Sequence, residues 1–147
     1  MDFMEEALCE AKKALKKGEV PIGAVIVRDN IIIGRGYNLK ETKGDVTKHA
    51  EIIAIQEASR EIGDWRLNGC HIYVTLEPCI MCMGAIIQSR ISKVIIGTFN
   101  KDMGACGSVI NLTDIGSLNK FVNVEWKYDE RCSNLMQVFF KEKRHKY

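Results

Sequence analysis

The chain has 147 residues, 46% of them hydrophobic and 27% charged, with 12 glycines and only 2 prolines. That is the size of one ordinary domain, long enough to bury its apolar side chains without disulfide staples, and no repeat, linker or low-complexity segment divides it. A net charge of +2 does not by itself indicate a polyanionic partner, and no run resembles a secretory leader or is apolar enough to span a bilayer. A cytoplasmic protein is therefore expected, in which the six cysteines stay reduced instead of forming a disulfide framework.

Residues 2 to about 17 read as a helix. Phe3, Ala7, Leu8, Ala11 and Leu15 share one stripe, acidic residues precede lysines, and Gly18 ends it. IGAVIVRDNIIIGRGYN reads as two strands joined by a short Asp29-Asn30 turn, both apolar enough to expect burial on both faces. A polar loop, LKETKGDVTK, leads into the helix HAEIIAIQEASREIG, which Gly63 closes. CHIYVTL (70–76) alternates Cys70, Ile72, Val74 and Leu76 on one face, as a strand does. CIMCMGAIIQSR follows as a helix with Pro78 at its start, and SKVIIGT (92–98) is a further strand, so the three form a βαβ unit with parallel neighbours. Phe99–Ser108 reads as a glycine-rich surface loop, followed by a short apolar segment (Val109–Ile115), a strand around VNVEWKY, and a last helix from about Asp129. The sum is an α/β sandwich with helices on both sides of a mixed sheet. At the C-terminus Lys141, Lys143, Arg144 and Lys146 face a single Glu142. These cations suit either a solvated helix end or a contact for phosphates.

The stretch TLEPCIMC carries the chemistry. Cys79 and Cys82 stand at i and i+3, a spacing that turns both sulfurs to one helix face, while the helix N-terminus favours the thiolate. Such a pair fits a thioredoxin-like redox site, half of a structural zinc clip, or two ligands of a catalytic zinc. A structural clip needs a second pair, and Cys9, Cys70, Cys106 and Cys132 are scattered singly. A catalytic site needs one more ligand and an acid–base group. His49-Ala50-Glu51 supplies both, and a carboxylate among isoleucines (AEIIAI) needs a reason to be there. His-x-Glu followed by Pro-Cys-x-x-Cys is the signature of zinc-dependent nucleobase deaminases. In that reading His49, Cys79 and Cys82 hold Zn²⁺, which makes hydroxide available at neutral pH. Glu51 takes the water proton, delivers it to the ring nitrogen, and then protonates the departing ammonia. Glu77 is read as a structural residue that orients the turn.

At the level of the whole chain the resemblance is specific. GEVPIGAVIV, YN at 37–38, HAEIIAI, WRLNG, YVTLEPCIMCMGAII, SRISKVIIGT, GACGS and FFKEKR resemble, in order, the bacterial tRNA-specific adenosine deaminases, which convert the wobble adenosine of a tRNA anticodon to inosine. The resemblance implies a three-layer α/β/α sandwich with a five-stranded mixed sheet, and a single cytidine deaminase-like zinc-binding domain over residues 1–147. It also implies one Zn²⁺ per subunit, a homodimer with the active site near its interface, and an anticodon stem-loop of tRNA as partner. Asn38 is implied to hydrogen-bond the flipped base, a role that suits an amide because it donates and accepts along a purine edge. Ile22, Ala24 and Leu76 are candidates for the pocket wall, although apolar strand residues are more often core. Where this family usually has Asp-Pro-Lys the chain has Asn100-Lys101-Asp102. An anticodon loop already presents unpaired bases, which lowers the cost of flipping. The rival readings are a deaminase of a free base or nucleoside, such as guanine or cytidine, and a catalytically silent zinc or RNA-binding module.

Overall fold

A computed structural model describes residues 1–145. Helix α1 (Phe3–Lys16) is capped by Asp2, whose carboxylate accepts the Glu5 N–H at 3.0 Å. Strands β1 (Gly23–Arg28) and β2 (Ile31–Tyr37) form a hairpin. Asp29 and Asn30 both take positive φ (51° and 61°) at its turn, the conformation that matches the natural twist of paired strands. Helix α2 (Lys40–Lys43) is one turn long, and α3 (Ala50–Ile62) ends on Gly63 in the left-handed region. Then follow β3 (His71–Leu76), α4 (Ile80–Gln88), β4 (Lys93–Thr98), a 3-10 turn (Leu112–Asp114), β5 (Asn123–Trp126) and α5 (Glu130–His145).

The strands make one mixed sheet in the order β2-β1-β3-β4-β5. β1 runs antiparallel to β2 and β3, while β3, β4 and β5 are parallel. Neighbouring residues of one strand enter opposite layers. Ala24, Ile26, Val94 and Ile96 join the core beneath α3 and α4, with Ala50, Ala54, Met83 and Ile86. Val25, Val27 and Ile95 join the other, with Met4, Ala7 and Leu8 of α1 and Cys132 of α5. The expected three-layer sandwich with a five-stranded mixed sheet is the fold observed.

Three expectations change in detail, and the short apolar segment 109–115 takes on a defined conformation. β1 is buried on both faces, but β2 is the sheet edge and its outer residues remain accessible, Ile31 among them. The apolar segment 109–115 forms no regular element beyond the 3-10 turn, and Val109, Ile110 and Ile115 lie exposed. The strand of VNVEWKY stops at Trp126, before Tyr128 takes a positive φ of 49°. The polar loop after Asn38 contains α2 because the buried carboxylate of Glu19 accepts the N–H groups of Glu41 (3.1 Å) and Thr42 (2.6 Å), a partner from 22 residues upstream that local pattern does not reveal.

α3 lies directly on β2 because Gly34 and Gly36 offer no side chain. A Cβ at Gly36 would strike the Ala50 carbonyl, and one at Gly34 the Ala54 carbonyl. Gly36→Ala therefore has to lift α3 off the sheet. The expected loss is about 3 kcal/mol, read as a drop in Tm of about 6–12 °C for a domain of this size. A Tm within about 2 °C of wild type would show that the backbone gives way at no cost.

Candidate metal centre and active site

Two helix starts meet at the carboxyl edge of the sheet. His49 is the N-cap of α3 and Cys79 the N-cap of α4, both with extended backbone (ψ 154° and 176°). Cys79 lies three residues past the end of β3, and Cys82 lies in the first turn of α4, so the sulfurs share a face. Pro78 stands one residue before the cap and not at the first helical position. Its carbonyl accepts the Ala105 N–H at 2.9 Å, and the helix opens on Ile80.

The Nδ1 of His49 lies 3.6 Å from Cys79 Sγ and 3.5 Å from Cys82 Sγ, and the three donor atoms all fall within 4.8 Å of one another. Zinc bond lengths of about 2.3 Å to sulfur and 2.0–2.1 Å to nitrogen, at a tetrahedral angle, require an N···S edge of about 3.5–3.6 Å. The donor set fits a zinc ion in chemistry and in spacing.

Without the metal the group still shares its protons unevenly. The hydrogen bond from Cys82 holds the Cys79 thiol down to about 4, helped by His49. The same bond, with burial, pushes Cys82 far above the ordinary thiol range. The bond to Cys79 raises His49 against the opposing effect of burial. Metal binding requires the Cys82 thiolate and a free lone pair on the ligating nitrogen of His49.

Glu51, in the first turn of α3, is only 4% exposed. Burial pushes its carboxyl up to about 7, opposed in part by its own backbone N–H and, less, by His49 and Cys82. A carboxyl poised near neutrality and touching a metal ligand suits proton transfer in either direction. Asn38 is buried too. Its Nδ2 donates to the Val20 carbonyl (3.3 Å) and its Oδ1 accepts the Lys40 N–H (3.2 Å), so the amide is held in one orientation with one N–H and one lone pair left over. Leu39 N–H donates to the Lys48 carbonyl at 2.9 Å, which runs the Asn38 stretch beside the His49 stretch. Ala24 is wholly core, with Ile22 packed against it, and Leu76 is 8% exposed at the strand end.

Glu19 was not singled out in the sequence, yet it anchors the segment between Asn38 and His49. Burial opposes its charge, but the Thr42 hydroxyl and two N–H groups outweigh that and hold its carboxyl below the usual range. An acidic residue inside GEVPIG, just before the buried start of β1, was the available signal. Two surface cavities of about 410 and 440 Å³ lie elsewhere, one lined by Thr113 and residues 119–124, the other by Ile55, Trp65 and Arg90 among others. Neither includes a residue of the metal group.

Fold and donor set together define a nucleobase-deaminase type of enzyme. The family model of the MafB19-like deaminases matches residues 1–144. The tRNA-specific adenosine deaminase of Bacillus subtilis (strain 168) is 46% identical over 145 residues, covering 98% of this chain and 90% of the relative. That of Aquifex aeolicus (strain VF5) is 47% identical over 142 residues, covering 97% and 94%. A solved structure from a study of A-to-I editing by tRNA:A34 deaminases at the wobble position of transfer RNA superposes with a TM-score of 0.86 at 38% identity, covering 90% of this chain and 97% of that one. The chain belongs to the MafB19-like deaminases and, within them, to the tRNA-specific adenosine deaminase family.

His49→Ala and Cys82→Ala are each expected to abolish stoichiometric zinc binding, measured by elemental analysis of the purified protein, while Glu51→Ala keeps it. Loss of zinc from Glu51→Ala would make Glu51 a ligand. With the metal chelated, Glu51 also sets a pH dependence. Its folded value of about 7 lies above the ordinary 4.5, so its contribution is fully present below pH 4.5 and is lost as the pH rises through 7. Glu51→Gln should therefore melt higher than metal-free wild type at pH 8 and match it near pH 4. A difference independent of pH would overturn the assignment.

Proposed function

We propose that this chain is a zinc-dependent deaminase that hydrolyses adenosine to inosine and ammonia at the wobble position of a tRNA anticodon. The observation that carries the reaction class is the buried carboxyl of Glu51 beside three converging metal donors. A structural zinc clip has no use for such a group, whose burial without hydrogen-bond partners costs roughly 2–7 kcal/mol. The near full-length identity to tRNA-specific adenosine deaminases supports the substrate.

His49, Cys79 and Cys82 hold the ion, one per subunit. Zinc bound there brings the acidity of water close to neutrality. Glu51 accepts a proton from the attacking water and donates it to the ring nitrogen beside the amine; it then takes a second proton from the new hydroxyl on the ring carbon and delivers it to the amino group, which departs as ammonia as the C–N bond breaks. A glutamate reaches both atoms where aspartate would be one methylene short. Asn38 offers its remaining N–H and lone pair to the purine edge, and its bonds to Val20 and Lys40 preset the angle of that contact.

The domain is read as single over residues 1–147, since one sheet serves both cores. The homodimer is carried over from the resemblance, and exposed Ile80, Val109, Leu118 and Phe121 are apolar candidates for its interface. Among the described residues no helix is long and apolar enough to cross a membrane, in keeping with a cytoplasmic site of action on tRNA. Of the basic C-terminus, Lys141 and Lys143 are exposed on α5. Lys146 lies outside the described residues.

The deciding experiment incubates the zinc-loaded protein with an anticodon stem-loop carrying adenosine at the wobble position and, in parallel, with guanine and cytidine. Inosine in the stem-loop is the expected product, and Glu51→Ala should lower turnover by about 10²–10⁴-fold. Turnover of a free base with an untouched stem-loop would overturn the substrate assignment. Neutralising Lys141 and Lys143 together should raise KM for the stem-loop and make its salt dependence shallower, by about one unit of slope for each phosphate that is no longer neutralised. Neither change is expected of an enzyme acting on free bases.

A further inference from the structure

The proton transfers above leave Glu77 without a role, although it is 1% exposed and lies two residues from Cys79. Its two oxygens take four donors from a single loop. Oε1 accepts the Asn100 N–H at 3.0 Å and the Ser108 hydroxyl, and Oε2 accepts the N–H groups of Cys106 at 2.9 Å and Ser108 at 3.2 Å. All are N–H and O–H groups; no cation is among these partners.

The loop is built around that carboxylate. Gly104 has no room for a Cβ, which would strike Glu77 Cδ. Glu77 N–H donates to the Thr98 carbonyl at 2.8 Å and Ala105 N–H to the Pro78 carbonyl at 2.9 Å. Asn100 Oδ1 caps the next turn by accepting Asp102 N–H and Met103 N–H. The loop leaves β4 at Thr98, which pairs with Leu76, so it begins at the sheet edge where β3 gives way to Cys79. Open α/β sheets bind their ligands at such an edge. Further along, Cys106 rests on Met83 of α4 at 3.4 Å, and the exposed Phe99, Lys101, Asp102 and Met103 form its outer rim.

We propose that Glu77 is a positioning residue for substrate binding: its carboxylate, and not its bulk, holds the Asn100 end of this loop against the turn that carries Cys79, presetting the wall on which RNA beside the target base rests. The proposal rests on the RNA-deaminase reading above.

Glutamine at this position separates charge from shape. An amide NH₂ placed at Oε2 would face two N–H donors, from Cys106 and Ser108. Placed at Oε1 it faces one, from Asn100, because the Ser108 hydroxyl can turn and accept. Glu77→Gln should therefore keep the Cys106 and Ser108 bonds and release Asn100. The zinc-loaded variant is compared with wild type by zinc content, amide hydrogen exchange and kinetics on the wobble-adenosine stem-loop. Zinc should be unchanged, and exchange at Asn100 should accelerate about tenfold or more while Cys106 and Ser108 stay protected. KM should rise about tenfold with kcat within about twofold, since the competent loop state is depopulated. Unchanged KM and exchange would mean that Glu77 only fills space. Loss of zinc together with kcat would mean that it acts on the metal turn instead. If Glu77→Gln does not fold, Ser108→Ala removes one donor from Oε1 and should raise KM about threefold; an unchanged KM there overturns the proposal. Failure of wild type on the stem-loop counts against the RNA reading alone, and exchange at Asn100 then still decides whether the carboxylate holds the loop.

Discussion

Three donor atoms carried by segments 30 and 33 residues apart converge within 4.8 Å, and most of the architecture can be read as the means of keeping them there. Two of them sit on helix N-caps, where the chain is already turning and the free N–H groups favour negative charge. The helices in turn are registered on the sheet by backbone contact. α3 is seated on the bare faces of Gly34 and Gly36, and α4 is launched by β3 through Pro78. Because α3 carries both a metal donor and the proposed proton carrier, any change in its height above β2 moves the two together.

Three buried glutamates show how surroundings assign different roles to one side chain. Glu19 and Glu77 are each satisfied by N–H and O–H donors and act as struts, one for the segment between Asn38 and His49, the other for the loop after β4. Glu51 has no such ring of donors. Desolvation therefore dominates, and its carboxyl rises to about 7, where it can exchange a proton at neutral pH. The difference lies in hydrogen-bond supply more than in depth, since all three are at most 4% exposed. Hydrogen bonding to the ionised form stabilises it, and burial without such bonds does the reverse.

The legible parts of the sequence were those in which a local pattern has a local cause. The stripe of α1, the Asp29-Asn30 turn, the alternation of β3 and the βαβ order all follow from periodicity and turn chemistry, and each is present in the fold. The metal group was legible because ligand chemistry restricts residue type and spacing so tightly. What misled was apolar character without context. Ile31 to Ile33 has the hydrophobicity of a buried strand, yet β2 is the sheet edge.

By itself, the sequence determined the class of fold and singled out His49, Cys79 and Cys82 as a candidate donor set with Glu51 beside it, because these depend on residue identity and short spacing. Tertiary structure alone decided which faces are edges, that Asn38 is clamped by Val20 and Lys40, and that Glu19 and Glu77 each organise a loop. The Asn38–Val20 bond and those of Glu19 and Glu77 join residues 18 to 31 positions apart, and a partner that far along the chain leaves no mark on the local pattern. The carboxylate of TLEPC reads as one more polar residue in sequence, and only in the fold does it meet the four donors that give it work.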